Sequence, residues 1–152
     1  MSHLRPILLA EDNPNDVELT VSALRGLNIA NELVVVHDGA QVLDFLHGRN
    51  AYVGRLAVAP AVVLLDLKMP RVDGLEALRQ IRADPTFAKL PVVILTSSRE
   101  EADLVRSYAL GVNAYVVKPV DFEEFVGAVT QLGMFWAIIN EPPPPALADK
   151  SA

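Results

Sequence analysis

Five short runs along the chain are almost wholly aliphatic: PILLA (residues 6–10), ELVVV (32–36), AVVLL (61–65), PVVIL (91–95) and AYVVK (114–118). Runs of this length without polar alternation suit strands buried on both faces. Between and after them the apolar residues recur at helical spacing. Val17, Val21 and Leu24 mark a first helix, Val42, Leu43 and Leu46 a second, and Leu75, Leu78 and Ile81 a third. In SSREEADLVRSYALG, Ser98 followed by Glu101 forms a capping-box pattern that opens a fourth helix, and Gly111 offers a terminator. DFEEF opens a fifth, with Asp121 as N-cap and Glu124 three residues on. Phe122, Phe125, Val126, Val129 and Leu132 then make one apolar stripe.

This alternation predicts an α/β fold, (βα)5, in which right-handed crossovers place helices on both faces of a parallel sheet. A flavodoxin-like three-layer sandwich with strand order 2-1-3-4-5 suits the length. The expected domain spans residues 1–140. Residues 141–152 lie in NEPPPPALADKSA, proline-rich and then polar, and read as a mobile tail. The segment at 48–60 is longer than usual for a helix–strand connection, and the pattern gives it no shape.

Polar residues close the buried runs. The first leads into Glu11–Asp12, the third into Asp66, the fourth into Thr96, and the fifth ends on Lys118. In an open α/β sheet the ligand crevice lies beyond the carboxyl ends of the strands, so these side chains should converge. Three carboxylates that close repel one another unless a cation sits among them. A hard divalent ion with oxygen ligands, Mg2+ by type, answers that need. Asp66 then stays ionised with an oxygen free to attack phosphorus, as carboxylates do in forming aspartyl phosphates. Thr96 would hold a phosphoryl oxygen by a hydrogen bond, and Lys118 by its charge.

The stretches ILLAEDNPND, VVLLDLKMPRVDG, VVILTSS and AYVVKP, in this order, resemble the receiver domain of two-component response regulators. The resemblance covers residue 5 to about residue 132. It implies that Asp66 is the phosphoacceptor, that Glu11 and Asp12 serve Mg2+, and that the backbone carbonyl of Lys68 completes the protein's metal ligands. It also implies a switch pair, Thr96 and Tyr115, a phosphate-binding Lys118, and a cis Lys118–Pro119 bond. An acidic pair of Glu–Asp, where Asp–Asp is also common, suggests that Glu11 meets the metal through water. Finer stretches, among them EDNPNDVELTVSAL and RADPTFAKLPVVILTSS, resemble the small regulators that partner bacterial and cyanobacterial phytochromes. The function implied is a single-domain regulator, phosphorylated by a sensor histidine kinase of phytochrome type and slowly dephosphorylating itself. Its phosphoryl group draws Thr96 inward, lets Tyr115 turn in, and so alters a protein-interaction face. It is not otherwise an enzyme.

Composition narrows the alternatives. Of 152 residues 51% are hydrophobic and 21% charged, as in a globular domain. A net charge of −6 and a pI near 5.0 argue against nucleic acid as a partner. With no cysteine, thiolate metal sites and cysteine nucleophiles are excluded. His3, His37 and His47 show no ligand spacing. The chain start does not read as a signal peptide, and no apolar run is long enough to span a bilayer, so a cytoplasmic location is expected. A haloacid-dehalogenase-like phosphatase also uses Asp, Thr, Lys and Mg2+, but it needs an acid two residues after the nucleophile, where this chain has Lys68. A phosphorylation-independent pseudo-receiver would lack one of the chemical residues, and all are present. The stripe of the fifth helix continues to Trp136, and Met134, Phe135, Ile138 and Ile139 add apolar bulk off it, more than one helix face can bury. A homodimer interface at Phe135, Trp136, Ile138 and Ile139 is therefore expected.

Overall fold

The computed structural model describes residues 5–26, 31–55, 59–112, 114–121 and 123–127. Its elements are β1 (Ile7–Ala10), α1 (Pro14–Arg25), β2 (Leu33–Val36), α2 (Gly39–His47), a 3-10 turn (Asn50–Tyr52), β3 (Val62–Asp66), α3 (Gly74–Ala83), β4 (Val92–Thr96), α4 (Arg99–Ser107) and β5 (Ala114–Val117). Residues 123–127 are again helical. The strands form one parallel sheet of order β2-β1-β3-β4-β5, the order expected from the sequence. The expected dimer residues Phe135, Trp136, Ile138 and Ile139, the tail at 141–152, and the later part of the fifth-helix stripe lie outside the described residues.

The continuous aliphatic runs have a physical cause. Every residue of β1, β3 and β4 is buried, because helices cover both faces of the sheet. Alternate side chains leave the pleat on opposite sides. Leu8, Ala10, Val63, Leu65, Val92 and Ile94 pack with α2, α3 and α4. Ile7, Leu9, Val62, Leu64, Val93 and Leu95 pack with α1 and with Phe125 from the fifth helical segment. Burying one such aliphatic side chain contributes about 1.5–3 kcal/mol.

Side-chain caps start the helices where the chain leaves the sheet. The Asn13 side chain accepts from the Asn15 and Asp16 amides at 2.9 and 3.1 Å, and Asp38 and Asp73 cap α2 and α3 at 2.8 Å each. Asp121 accepts from the Glu124 amide at 2.7 Å, the N-cap expected there. Three details differ from the sequence reading. β3 and β4 include Asp66 and Thr96 as their last residues instead of ending before them. Helix α4 stops at Ser107, with Tyr108 as C-cap, so Gly111, although left-handed at φ 65°, lies beyond its end. The segment after α2 acquires shape from aromatic packing: Gly48 ends the helix at φ 65°, Tyr52 sets its ring edge-on to Phe45, and the Arg55 guanidinium lies 3.8 Å from the Phe45 ring centre.

Candidate functional site at the carboxyl end of the sheet

Register brings the acids together. Ala10 pairs with Leu65 and Asp66 pairs with Leu95, so Glu11, next after Ala10, comes level with Asp66. The pleat then decides which way each side chain leaves the sheet. Glu11, Asp66 and Lys118 continue the rows that pack on α1, whereas Thr96 continues the row that packs on α4. The Lys118 amide donates to the Thr96 carbonyl at 2.7 Å, and the Lys118–Pro119 bond is cis, as the resemblance implied.

Lys118 Nζ lies 3.2 Å from Glu11 Oε1, 3.3 Å from Asp66 Oδ1 and 3.0 Å from Asp16 Oδ2. Glu11 is fully buried and Asp66 nearly so, while Asp12 faces solvent. Carboxylate oxygens of Glu11, Asp12 and Asp66 all lie within 4.8 Å of one another. Burial, then the Asp66 carboxylate beside it, pushes the Glu11 carboxyl well above its ordinary range, against the pull of the Asn13 amide and the Lys118 ammonium. Burial alone would lower Lys118, but Asp16, Asp66 and Glu11 outweigh it and raise it. The excess of buried negative charge and the all-oxygen donor set fit a hard divalent cation.

Thr96 is fully buried, and its hydroxyl faces α4. It lies 2.9 Å from the Ser98 carbonyl and donates to Glu101 Oε1 at 2.7 Å. Glu101 Oε2 meets Lys68 Nζ at 2.9 Å. Partial burial raises the Glu101 carboxyl, but Lys68, the Thr96 hydroxyl and Ser97 together hold it at about 2. Tyr115 is half-buried on β5, with the Arg106 guanidinium 4.3 Å from its ring centre. A concavity lined by Ala102, Arg106, Tyr115, Val117 and Glu124 lies beside it, between α4 and the fifth helical segment.

The structure thus gathers Glu11, Asp12, Asp66 and Lys118 in one pocket and sets Thr96 and Tyr115 on the α4 side. The ammonium of Lys68 points to Glu101 rather than to the acids. Sequence reasoning missed two participants. Asp16 has no site role in the sequence reading, yet while Asn13 caps α1, Asp16 reaches Lys118 from the first turn of that helix. Glu101 read as half of a capping box, but only its backbone amide bonds to Ser98, at 3.2 Å. The signal available for Asp16 was its place just after the acids at a strand end. For Glu101 there was none.

Residues 7–130 match the response regulator receiver domain family. The solved structure of the bacteriophytochrome response regulator RtBRR is 54% identical, with a TM-score of 0.87, covering 96% of this chain and 88% of that one. The bacteriophytochrome response regulator AtBRR is 57% identical with a TM-score of 0.86, over 92% of this chain and all of that one. Response regulator Rcp1 of Synechocystis sp. is 35% identical over 130 residues, 86% of this chain and 87% of its own length. The Mn(2+)-bound form of Rcp1 gives a TM-score of 0.70 at 32% identity, over 93% of this chain and 99% of that one. The receiver resemblance carried by four strand-end stretches is matched across most of the chain, and the chain belongs to the response regulator receiver domain family.

Proposed function

We propose that this receiver is a phosphorylation switch in which Asp66 takes a phosphoryl group from the phosphohistidine of a sensor histidine kinase of bacteriophytochrome type. The observation that carries this reading is the Asp66 carboxylate, fixed as the last residue of a buried strand, 3.3 Å from Lys118 Nζ and clustered with Glu11 and Asp12. An Asp66 oxygen attacks phosphorus, and the P–O bond forms as the P–N bond breaks and the imidazole leaves. Lys118 offers its charge to the developing phosphoryl oxygens, and Thr96 offers a hydroxyl once it turns toward them. Asp12, Asp66 and the Lys68 carbonyl would hold Mg2+, with Glu11 reaching it through water, and the ion when bound would supply neutralising charge for phosphoryl transfer. Water later hydrolyses the acyl phosphate slowly and restores Asp66.

Movement of Thr96 leaves room for Tyr115 to turn in, and the face made by α4, β5 and the fifth helical segment changes shape. The kinase type is supported by the names of RtBRR and AtBRR. No described helix is long and apolar enough to cross a membrane, which suits the cytoplasmic location proposed from the sequence. The domain is proposed to span residues 1–140, ahead of a mobile tail at 141–152, and to dimerise through Phe135, Trp136, Ile138 and Ile139. Phosphotransfer from a labelled bacteriophytochrome kinase tests this function. Label should move to the wild type within the time of mixing and not to Asp66→Asn. Retention of all label on the kinase would reject the pairing, and label on Asp66→Asn would reject the acceptor.

A further inference from the structure

The side chain of Glu101 does not serve its own helix. Its backbone amide completes the Ser98 cap, while its carboxylate turns toward the sheet and stands between two residues that flank the phosphoryl pocket. Oε1 receives the Thr96 hydroxyl at 2.7 Å and the Ser97 amide at 3.2 Å. Oε2 is held by Lys68 Nζ at 2.9 Å, and Lys68 is two residues beyond Asp66. Thr96 is fully buried, so water does not compete freely for its hydroxyl. The Thr96 hydroxyl has one proton to donate, so while Glu101 holds it, with the neutral Ser98 carbonyl at 2.9 Å as the weaker alternative on the same side, it cannot also donate to a phosphoryl group.

We propose that Glu101 is a positioning residue that holds the Thr96 hydroxyl on the α4 side, with Lys68 fixing the carboxylate, so that a phosphoryl group on Asp66 must win Thr96 from Glu101. This rests on the reading of Asp66 as acceptor and Thr96 as the moving hydroxyl. A hydrogen bond from a hydroxyl to a carboxylate is stronger than one between neutral groups. It belongs to the resting arrangement alone, and an interaction present in one of two states biases the equilibrium toward that state. The Lys68 contact is largely exposed and worth little by itself; its effect is to keep the carboxylate aimed at Thr96.

The test is a double-mutant cycle on the binding of beryllofluoride, a phosphoryl mimic, at a fixed Mg2+ concentration, followed by fluorine NMR. Glu101→Ala should bind beryllofluoride about three- to tenfold more tightly than wild type, the fold-change carried by one net hydrogen bond. Glu101→Gln, which keeps an acceptor without the charge, should fall between them. In a Thr96→Ala background the Glu101 substitution should change affinity by less than about twofold, because the hydroxyl it acts through is gone. Unchanged or weaker binding by Glu101→Ala would overturn the proposal. So would a gain that persists in the Thr96→Ala background, since it would come from the lost charge alone. Should Glu101→Ala not fold, Glu101→Gln carries the same cycle with the same criteria. Failure of the underlying reading looks different: the wild type would then show no uptake dependent on Asp66, and both proposals would fall.

Discussion

Four acidic side chains, Glu11, Asp12, Asp16 and Asp66, gather near the ammonium of Lys118. Such a surplus of negative charge should make the protein respond to a divalent cation. A ligand at a hundred times its Kd stabilises the folded state by about 2.7 kcal/mol. Saturating Mg2+ should therefore raise the melting temperature by several degrees. Asp12→Ala, an exposed change that leaves the core intact, should lose most of that rise, and Lys118→Ala should keep it. Both should accept phosphate slowly. A Mg2+ response in Asp12→Ala equal to wild type would show that the acids do not form a shared metal site. Asp38, outside this cluster, is governed by an arginine instead. Burial raises the Asp38 carboxyl, but the Arg71 fork at 2.8 and 3.0 Å and the Gln41 amide outweigh it and hold it below its ordinary 3.8. The unfolded chain then binds more protons than the folded one in that range, so the stabilisation is present above 3.8 and is lost as pH falls. Asp38→Asn should have a lower urea midpoint than wild type at neutral pH, and the gap should close in acid. A gap that stays constant with pH would remove Arg71 as the cause. These residues also mark where sequence reading stops. Asp66, Asp12, Thr96 and Lys118 were legible because each stands at a strand end, a place the fold makes functional. Asp16 and Glu101 reach their partners through side-chain direction across elements, which no local pattern records.

At the scale of elements, the strand that carries Asp66 is held from beyond its end as well as from its sides. Gly74, the first residue of α3, donates its amide to the Leu67 carbonyl at 2.9 Å and lies against the backbone of Asp66. A Cβ placed on Gly74 would overlap the Asp66 carbonyl oxygen, so only glycine permits this approach. Gly74→Ala must push α3 or the end of β3 aside, and overpacking of this kind costs about 1–3 kcal/mol. The variant should melt earlier than wild type and take up phosphate more slowly, because the displaced backbone is that of Asp66, the proposed acceptor. Wild-type melting together with wild-type phosphorylation would show that the contact is dispensable. The five strands and the helix starts were legible because burial on both faces and side-chain caps are local in sequence. The end of α4 and the segment after α2 were not. The first is decided where the chain turns back to the sheet, and the second by Tyr52 and Arg55 packing on Phe45.

Across the whole molecule, two cores on opposite faces of one sheet hold a site that neither face could build alone. Phe125, fully buried, ties the fifth helical segment to the α1 side, while Thr96 and Tyr115 connect the site to α4. The strand order was readable from the alternation of elements, and the convergence of the acids followed from that order. The homodimer proposed at residues 134–139 rests on the sequence. Replacing Phe135 and Ile139 with charged residues should give a folded monomer that still accepts phosphate, whereas a monomeric wild type at tens of micromolar in light scattering would dismiss the interface. The central claim is that Asp66 receives a phosphoryl group in a site completed by a divalent cation. Its most direct test is the intact mass of the protein after incubation with a small phosphodonor, with and without Mg2+, for wild type and Asp66→Asn. The account expects a single phosphoryl adduct on the wild type that needs Mg2+, and none on Asp66→Asn. An adduct on Asp66→Asn, or none on the wild type with Mg2+ present, would contradict it.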